Sequence, residues 1–297
     1  MRLAGAGVAG GLVSFFSSIV LPRLFPHLLL DHPQERKSHD KPTHLWGGMA
    51  MVLGFFTFIT ISDTSLPMSL WGVLLGAALL GVIDDLRGVS ALPKLFFQGV
   101  LGVGFVATHG HLPFFGPNWV EVCGTILFFV LVLNGYNFLD GLNGLLGGHI
   151  FLSALALLIM GITMESPLVA VLGAGMVATT SGFLIPNSKG DLFMGDGGSL
   201  FLGVAMISGL LALSSIETLG RGVWWVALPL LLPLGDLGWV TIRRMSKGRS
   251  PFVADKKHLH HILAKRLGAK RSVAILLVIT AGLSTLGVLG ALGRISP

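Results

Sequence analysis

Charge is scarce in this chain. Asp, Glu, Lys and Arg make up 11% of its 297 residues, against about 25% in ordinary soluble domains. With 53% hydrophobic residues and a mean hydropathy of +0.82, there is too little polar surface to coat a soluble fold of this size. Lipid as solvent removes the difficulty, because apolar side chains can then face outward. Cysteine is nearly absent. The lone Cys123 excludes an internal disulfide and a thiolate metal cluster; a small core residue is its expected role, with a reactive thiol as the alternative. The first apolar run lacks both a strongly basic start and a small-residue cleavage site, so it is expected to be a retained helix and not a signal peptide. No Walker lysine loop and no strand-associated dinucleotide fingerprint occurs, and no internal repeat is evident. The net charge of +6 does not point to nucleic acid, because the basic residues lie between apolar runs and not along one soluble face.

What the chain has in plenty is apolar length and glycine. The 42 glycines are roughly twice the usual ~7% share. Glycine lets membrane helices approach closely, and Gly72 with Gly76 is one small-xxx-small pair. Spanning the hydrocarbon takes about 20 apolar residues, or about 17 at the least. That ruler marks ten segments, at 3–22, 45–62, 67–83, 95–109, 118–135, 142–162, 167–186, 198–214, 223–242 and 272–292. Seventeen of the 20 Lys and Arg then fall in the odd-numbered loops, leaving Arg2, Arg221 and Arg294 on the opposite side. By the positive-inside rule the odd loops are cytoplasmic. The expected fold is all-α: one polytopic membrane domain over 1–297, with about ten helices.

The unusual polar residues gather on the same face. Asp84 and Asp85 end the third segment in GVIDDLRG, and Asn134, Asn137, Asp140 and Asn143 lie in NGYNFLDGLNG. Asp196 lies in FMGDGGS, His258, His260 and His261 in HLHH, and His39 in ERKSHDKPTHLWGG. Adjacent carboxylates repel unless a cation or proton lies between them, and a helix C-terminus disfavours them further, so a mere solvated helix end explains Asp84 and Asp85 poorly. FMGDGGS reads alternatively as a tight turn with Ser199 as helix cap. The amide-rich loop is ordinary turn chemistry when taken alone. Asp236, inside the ninth segment, either serves function, as intramembrane acids often do, or pairs with Arg243 or Arg244.

Several carboxylates without thiolates suit a hard cation such as Mg²⁺. The tight HLHH spacing makes zinc the poorer choice, while His beside Arg and Lys suits phosphates. Together these groups describe phosphoryl transfer, in which a protein mainly positions reactants and neutralises charge.

With these residues in view, the sequence resembles the polyprenyl-phosphate N-acetylhexosamine-1-phosphate transferases, a family that includes the phospho-N-acetylmuramoyl-pentapeptide transferase. The likeness runs from about Asp31 to about Leu267 through five motifs in the family's order: DHPQERKSHDKPTHLWGG, GVIDDLRG, NGYNFLDGLNG, FMGDGGS and RRMSKGRSPFVADKKHLHH. The resemblance implies that a polyprenyl phosphate attacks the β-phosphorus of a UDP-N-acetylhexosamine. The products would be polyprenyl-diphosphate-sugar and UMP, and Mg²⁺ would be needed. It implies Asp196 as metal ligand and Asp84 and Asp85 as catalytic acids, one taking a proton from the lipid phosphate or attacking as a nucleophile. Asn137, Asp140, Asn143 and Phe193 match substrate-binding positions, as do His39, Arg244, Arg249, His258, His260 and His261. The implied setting is a bacterial inner membrane with the active site facing the cytoplasm; a homodimer is compatible with it.

GRSPF followed by HLHH resembles the N-acetylglucosamine-1-phosphate transferases that begin O-antigen and related polymers. Asn143, where many members carry Asp, resembles the branch using N-acetylfucosamine or N-acetylquinovosamine. The histidines are interrupted by Leu259, which argues against the peptidoglycan substrate. Between Asn187 and Asp196 the chain departs from the family's usual run, and Asp191 stands where a basic residue is often found. Two other classes are a secondary transporter, which would place its carboxylates near the midplane on repeated halves, and a lipid-binding scaffold without turnover, against which the acids argue.

Overall fold

The computed structural model describes residues 2–31, 42–113, 117–216, 219, 222–248, 250 and 258–295. His39 and Arg249 lie outside the described residues. The described chain is helical almost throughout, because a backbone in lipid must satisfy its own hydrogen bonds. In order come α1 (Arg2–Leu24), α2 (Gly47–Ser62), α3 (Met68–Arg87), α4 (Ala91–His109), α5 (Asn118–Leu139), α6 (Leu145–Thr163), α7 (Pro167–Lys189) and α8 (Gly195–Ser214). The short α9 (Val223–Val226), then α10 (Leu231–Met245), α11 (Leu259–Leu267) and α12 (Ala269–Ile295) complete the chain.

Eight of these helices are long and apolar enough to cross a membrane. Two of the ten expected segments take another form. The one at 45–62 is the 16-residue α2. The one at 223–242 is broken into α9, a 3-10 turn over Leu228–Leu230, and α10. Pro229 lies in that 3-10 turn, where its missing N–H and its ring oppose a continuous helix, whereas Pro233 falls in the first turn of α10, where proline is tolerated.

Helix α8 is the axis of the bundle, with 89% of its apolar window buried, whereas α1, α4 and α12 bury only 22%, 17% and 22% of theirs. Phe16, Phe96, Leu127, Ile162 and Val278 point outward from the bundle, as lipid-facing side chains do. Cys123 is also exposed, on α5. Its expected core position is thereby corrected; with lipid as the solvent, a small apolar side chain has no drive to turn inward.

Close helix contacts depend on missing side chains. A Cβ on Gly182 of α7 would lie 2.1 Å from the Gly11 carbonyl oxygen of α1, and a Cβ on Gly81 of α3 would lie 2.3 Å from the Asp196 carbonyl carbon of α8. The pair Gly72 and Gly76 does not hold helix backbones together: Gly72 meets nothing, and Gly76 faces only the Leu101 side chain. Ser14 donates its hydroxyl to the Thr179 carbonyl at 2.8 Å and adds a polar tie between α1 and α7.

The two strands among the described residues, β1 (Leu30–Asp31) and β2 (Thr43–His44), form an antiparallel ribbon beside the site. His44 bridges to Leu192, and the Phe193 N–H donates to the His44 carbonyl at 2.9 Å. The amides of Gly47 and Gly48 donate back to the Phe193 and Met194 carbonyls at 3.1 and 2.8 Å. The FMGD segment is thus clamped between the ribbon and the start of α2. Gly81→Val should separate α3 from α8, lowering stability by about 3 kcal/mol, the upper end for overpacking. Thermal denaturation in detergent checks this, with the outward-facing Gly72→Val expected to stay near wild type.

Candidate active site

Four helix ends converge at one end of the bundle, the end carrying the basic odd-numbered loops. The C-terminus of α3 brings Asp84 and Asp85, the N-terminus of α4 brings Lys94, the last turn of α5 brings Asn137, and the first turn of α8 brings Asp196. Between them opens a cavity of about 480 Å³. It is lined by Asp84 and Asp85, by Asn137, Asp140 and Asn143, by Phe193 and Asp196, and by His261. All eight were expected at the site from the sequence.

The two adjacent aspartates have different surroundings. Asp84 accepts a hydrogen bond from the Val89 N–H at 2.5 Å and one from Lys94 Nζ at 2.7 Å. Its side chain is only 14% exposed, so it is no solvated helix end. Asp85 turns the other way and accepts the backbone N–H groups of Asp196 and Gly197 at 3.0 and 3.2 Å. These donors open α8, so the carboxylate lies at the favourable end of that helix dipole. The repulsion and dipole penalty foreseen for the pair are therefore met by an ammonium on one acid and a helix N-terminus on the other. Ser199 does not cap α8. Its hydroxyl donates to the Asp196 carbonyl at 3.2 Å, and the orphan amides of α8 go across to Asp85 instead.

Asp196 is held from two sides: Asn137 Nδ2 donates to one carboxylate oxygen and Lys94 Nζ to the other. Asp140, the C-cap of α5, faces the same cavity. Burial foremost, and then the charges of Asp196 and Asp85, push its carboxyl well above the usual range, while the donated Gly195 N–H works in the opposite direction.

Lys94 is the residue that sequence reasoning missed. It is 9% exposed and bridges Asp84 to Asp196. The available signal was a cation in the first turn of an apolar helix, ten residues after Asp84. Asn187 was missed as well. Its side chain accepts the Gly144 N–H at 2.7 Å and donates to the Leu192 carbonyl at 2.8 Å, tying the amide-rich loop to the FMGD segment. One turn deeper, Asn134 of α5 donates to Gln98 Oε1 of α4 at 2.6 Å, a direct polar tie between the two helices. Asp31 on β1 completes the rim.

The histidines divide. His261 lines the cavity, while His258 and His260 are 6% and 1% exposed and lie behind it. Arg244 is buried in α10 at 5% exposure and is not part of the cavity wall. Asp191, on the turn after α7, is exposed.

The model of glycosyl transferase family 4 matches residues 67–215, the run from the start of α3 to the end of α8. The chain belongs to glycosyl transferase family 4. It is 30% identical over 268 residues to a Bacillus subtilis protein named "Probable undecaprenyl-phosphate N-acetylglucosaminyl 1-phosphate transferase", covering 84% of this chain and 74% of the relative. It is 29% identical to the "Undecaprenyl-phosphate alpha-N-acetylglucosaminyl 1-phosphate transferase" of Yersinia pestis, over 88% and 77% of the two chains. It is 28% identical to the "Decaprenyl-phosphate N-acetylglucosaminephosphotransferase" of Mycobacterium leprae, over 96% and 83%. The family span contains the aspartates, Lys94, the amides and Phe193, but neither His39 nor the HLHH run.

Lys94→Met should leave Asp84 and Asp196 facing each other without their shared cation. A stability loss of about 3 kcal/mol is expected for breaking a buried ion pair. Turnover should fall about 10²-fold or more, as when a preorganised electrostatic group is lost. Thermal denaturation and a turnover assay on the same preparation check both.

Proposed function

We propose that this chain transfers N-acetylhexosamine-1-phosphate, with N-acetylglucosamine the favoured sugar, from a UDP-sugar to a polyprenyl phosphate such as undecaprenyl phosphate. The transfer begins a cell-envelope polysaccharide, on the cytoplasmic face of a bacterial inner membrane, within one membrane domain. The observation that carries it is a single cavity at the positively charged end of the bundle, walled by four aspartates of α3, α5 and α8 and by His261. Membership of the family and the names of the three relatives support the same chemistry.

A phosphate oxygen of the lipid attacks the β-phosphorus of the nucleotide sugar. The new P–O bond makes the lipid diphosphate sugar, the bond to the bridging oxygen breaks, and UMP leaves with that oxygen. The polyprenyl tail stays in the bilayer with its phosphate at the interface, where α3 and α5 end, and the nucleotide enters from the aqueous side. Asp84 and Asp85 stand where the lipid phosphate arrives; one of them accepts its proton or forms a covalent intermediate. Phe193, Asn137, Asp140 and Asn143 line the side toward the nucleotide and sugar. His261 supplies a donor group to the phosphates from the cavity wall, and the same role falls to His39 and Arg249, whereas Arg244, His258 and His260 lie behind that wall.

The oxygen donors suit Mg²⁺ in kind; among the described residues no three His, Cys, Asp or Glu side chains form a metal-binding group, so the ion would take one or two carboxylates and complete its shell from phosphates and water. Carboxylate and amide oxygens of Asp196, Asp85, Asp140 and Asn137 line one cavity, no thiolate is near, and hard oxygen donors are what this ion prefers. Asp196 is the proposed ligand, and a bound Mg²⁺ would neutralise charge developing on the pyrophosphate. Lys94 keeps Asp84 and Asp196 at fixed separation, so these acids are preorganised before substrate enters.

The test is UMP release by the purified protein with undecaprenyl phosphate and a panel of UDP-N-acetylhexosamines, with and without Mg²⁺. Release that needs lipid and metal supports the reading; silence across the panel from folded protein sinks it. Asp196→Ala should lower turnover by about 10³-fold or more with membrane insertion intact, and wild-type turnover in that variant would remove Asp196 as metal ligand. His258→Ala should impair turnover more than Cys123→Ala, measured side by side.

A further inference from the structure

Asp236 is an acid inside the ninth apolar segment for which the proposed chemistry has no task. It sits on α10 at 3% exposure. A carboxylate so buried is unfavourable unless donors surround it, and the donors here come from α11. Asp236 Oδ1 accepts the Leu259 N–H at 2.6 Å, and Oδ2 lies 2.9 Å from His258 Nδ1 and 3.6 Å from His260 Nδ1. Leu259 is the first residue of α11 and His258 its N-cap. One carboxylate therefore fixes both the backbone start of α11 and the ring before it.

The consequences of that anchor reach the cavity. The His258 ring packs at 5.1 Å from the Phe138 ring, on the last turn of α5 beside Asn137. His260 lies flush against Gly141, where a Cβ would stand 2.2 Å from its Nε2. His261, its ring 4.2 Å from that of His260, faces the cavity next to Asp140 and Asn143. The position of His261 relative to those residues is thus set through His260 and His258 by Asp236.

We propose that Asp236 is a positioning residue for the transfer reaction, holding the first turn of α11 so that the histidines meet the Asp140–Asn143 turn. The inference rests on the proposed function for its kinetic consequence but not for the contact itself. Asp236→Asn keeps the size and one acceptor oxygen while removing the charge, and Asp236→Glu keeps the charge on a longer stem. Each is compared with wild type in detergent by thermal denaturation, by turnover, and by ¹⁵N NMR of the His258 ring, assigned with His258→Gln.

In Asp236→Asn the His258 Nδ1 resonance should move, and kcat/KM for undecaprenyl phosphate should fall about tenfold to a hundredfold, the loss expected when reacting groups shift by about 1 Å. KM for the UDP-sugar should change less than about threefold, and Asp236→Glu should recover part of the loss. An unmoved His258 resonance in folded Asp236→Asn overturns the inference. So does a moved resonance with wild-type kinetics. Should Asp236→Asn fail to fold, Asp236→Glu decides by the same resonance and the same ratio. If the wild-type protein releases no UMP, the proposed function fails, and the anchoring of His258 is then judged on its resonance alone.

Discussion

Asp196 is the point on which the rest of the structure depends. It enters the bundle at the first turn of α8, and three other helices reach it there. Its carboxylate takes Asn137 from α5 and Lys94 from α4, and its own N–H goes to Asp85 of α3. A carboxylate at the end of an almost fully buried helix is tolerable only when its lone pairs are satisfied. The donors it needs are the residues that define the cavity, so satisfying one buried acid assembles the site. The close approach of α3 to α8 at Gly81 follows from the same requirement, because the Asp85 side chain must reach the amides of Asp196 and Gly197.

Around that centre the site is built in layers. Lys94 divides its ammonium between Asp84 and Asp196, so two like charges are held near each other by a third of opposite sign. Gln98 and Asn134, one turn below, tie α4 directly to α5 with neutral groups. Asn187 pins the amide-rich loop to the segment before α8. Such ties limit the reorganisation required when charge develops in a transition state, which is the main service a protein renders to phosphoryl transfer. The histidines enter from outside this frame, on a helix whose start is fixed by Asp236.

Much of this was legible in the sequence because the bilayer makes its demands locally. Apolar length, low charge and the one-sided distribution of Lys and Arg specify an all-α polytopic chain with a polar end, since lipid admits few other backbones. Asp84, Asp85, Asp140, Asp196, Asn137, Asn143 and His261 stood out as polar residues beside apolar runs, Phe193 entered only through the family resemblance, and the fold brings all of them into one cavity. Lys94 did not stand out, because a lone cation near a predicted helix end is ordinary and its two partners lie 10 and 102 residues away. Cys123 was misplaced for a related reason: in lipid, apolar character does not tell inside from outside.

The sequence by itself determined that the chain would be helical, membrane-spanning and asymmetric in charge, because each of those properties follows from the residues of one segment meeting one solvent. Tertiary structure alone decided which carboxylate faces which partner. Asp84 and Asp85 are neighbours in sequence, yet one faces an ammonium and the other the opening amides of α8. The ninth segment breaks at the 3-10 turn that holds Pro229, and α10 directs Asp236 toward α11. Those outcomes depend on where separate helices end relative to one another, and hydrogen bonds between residues distant in the chain fix that arrangement.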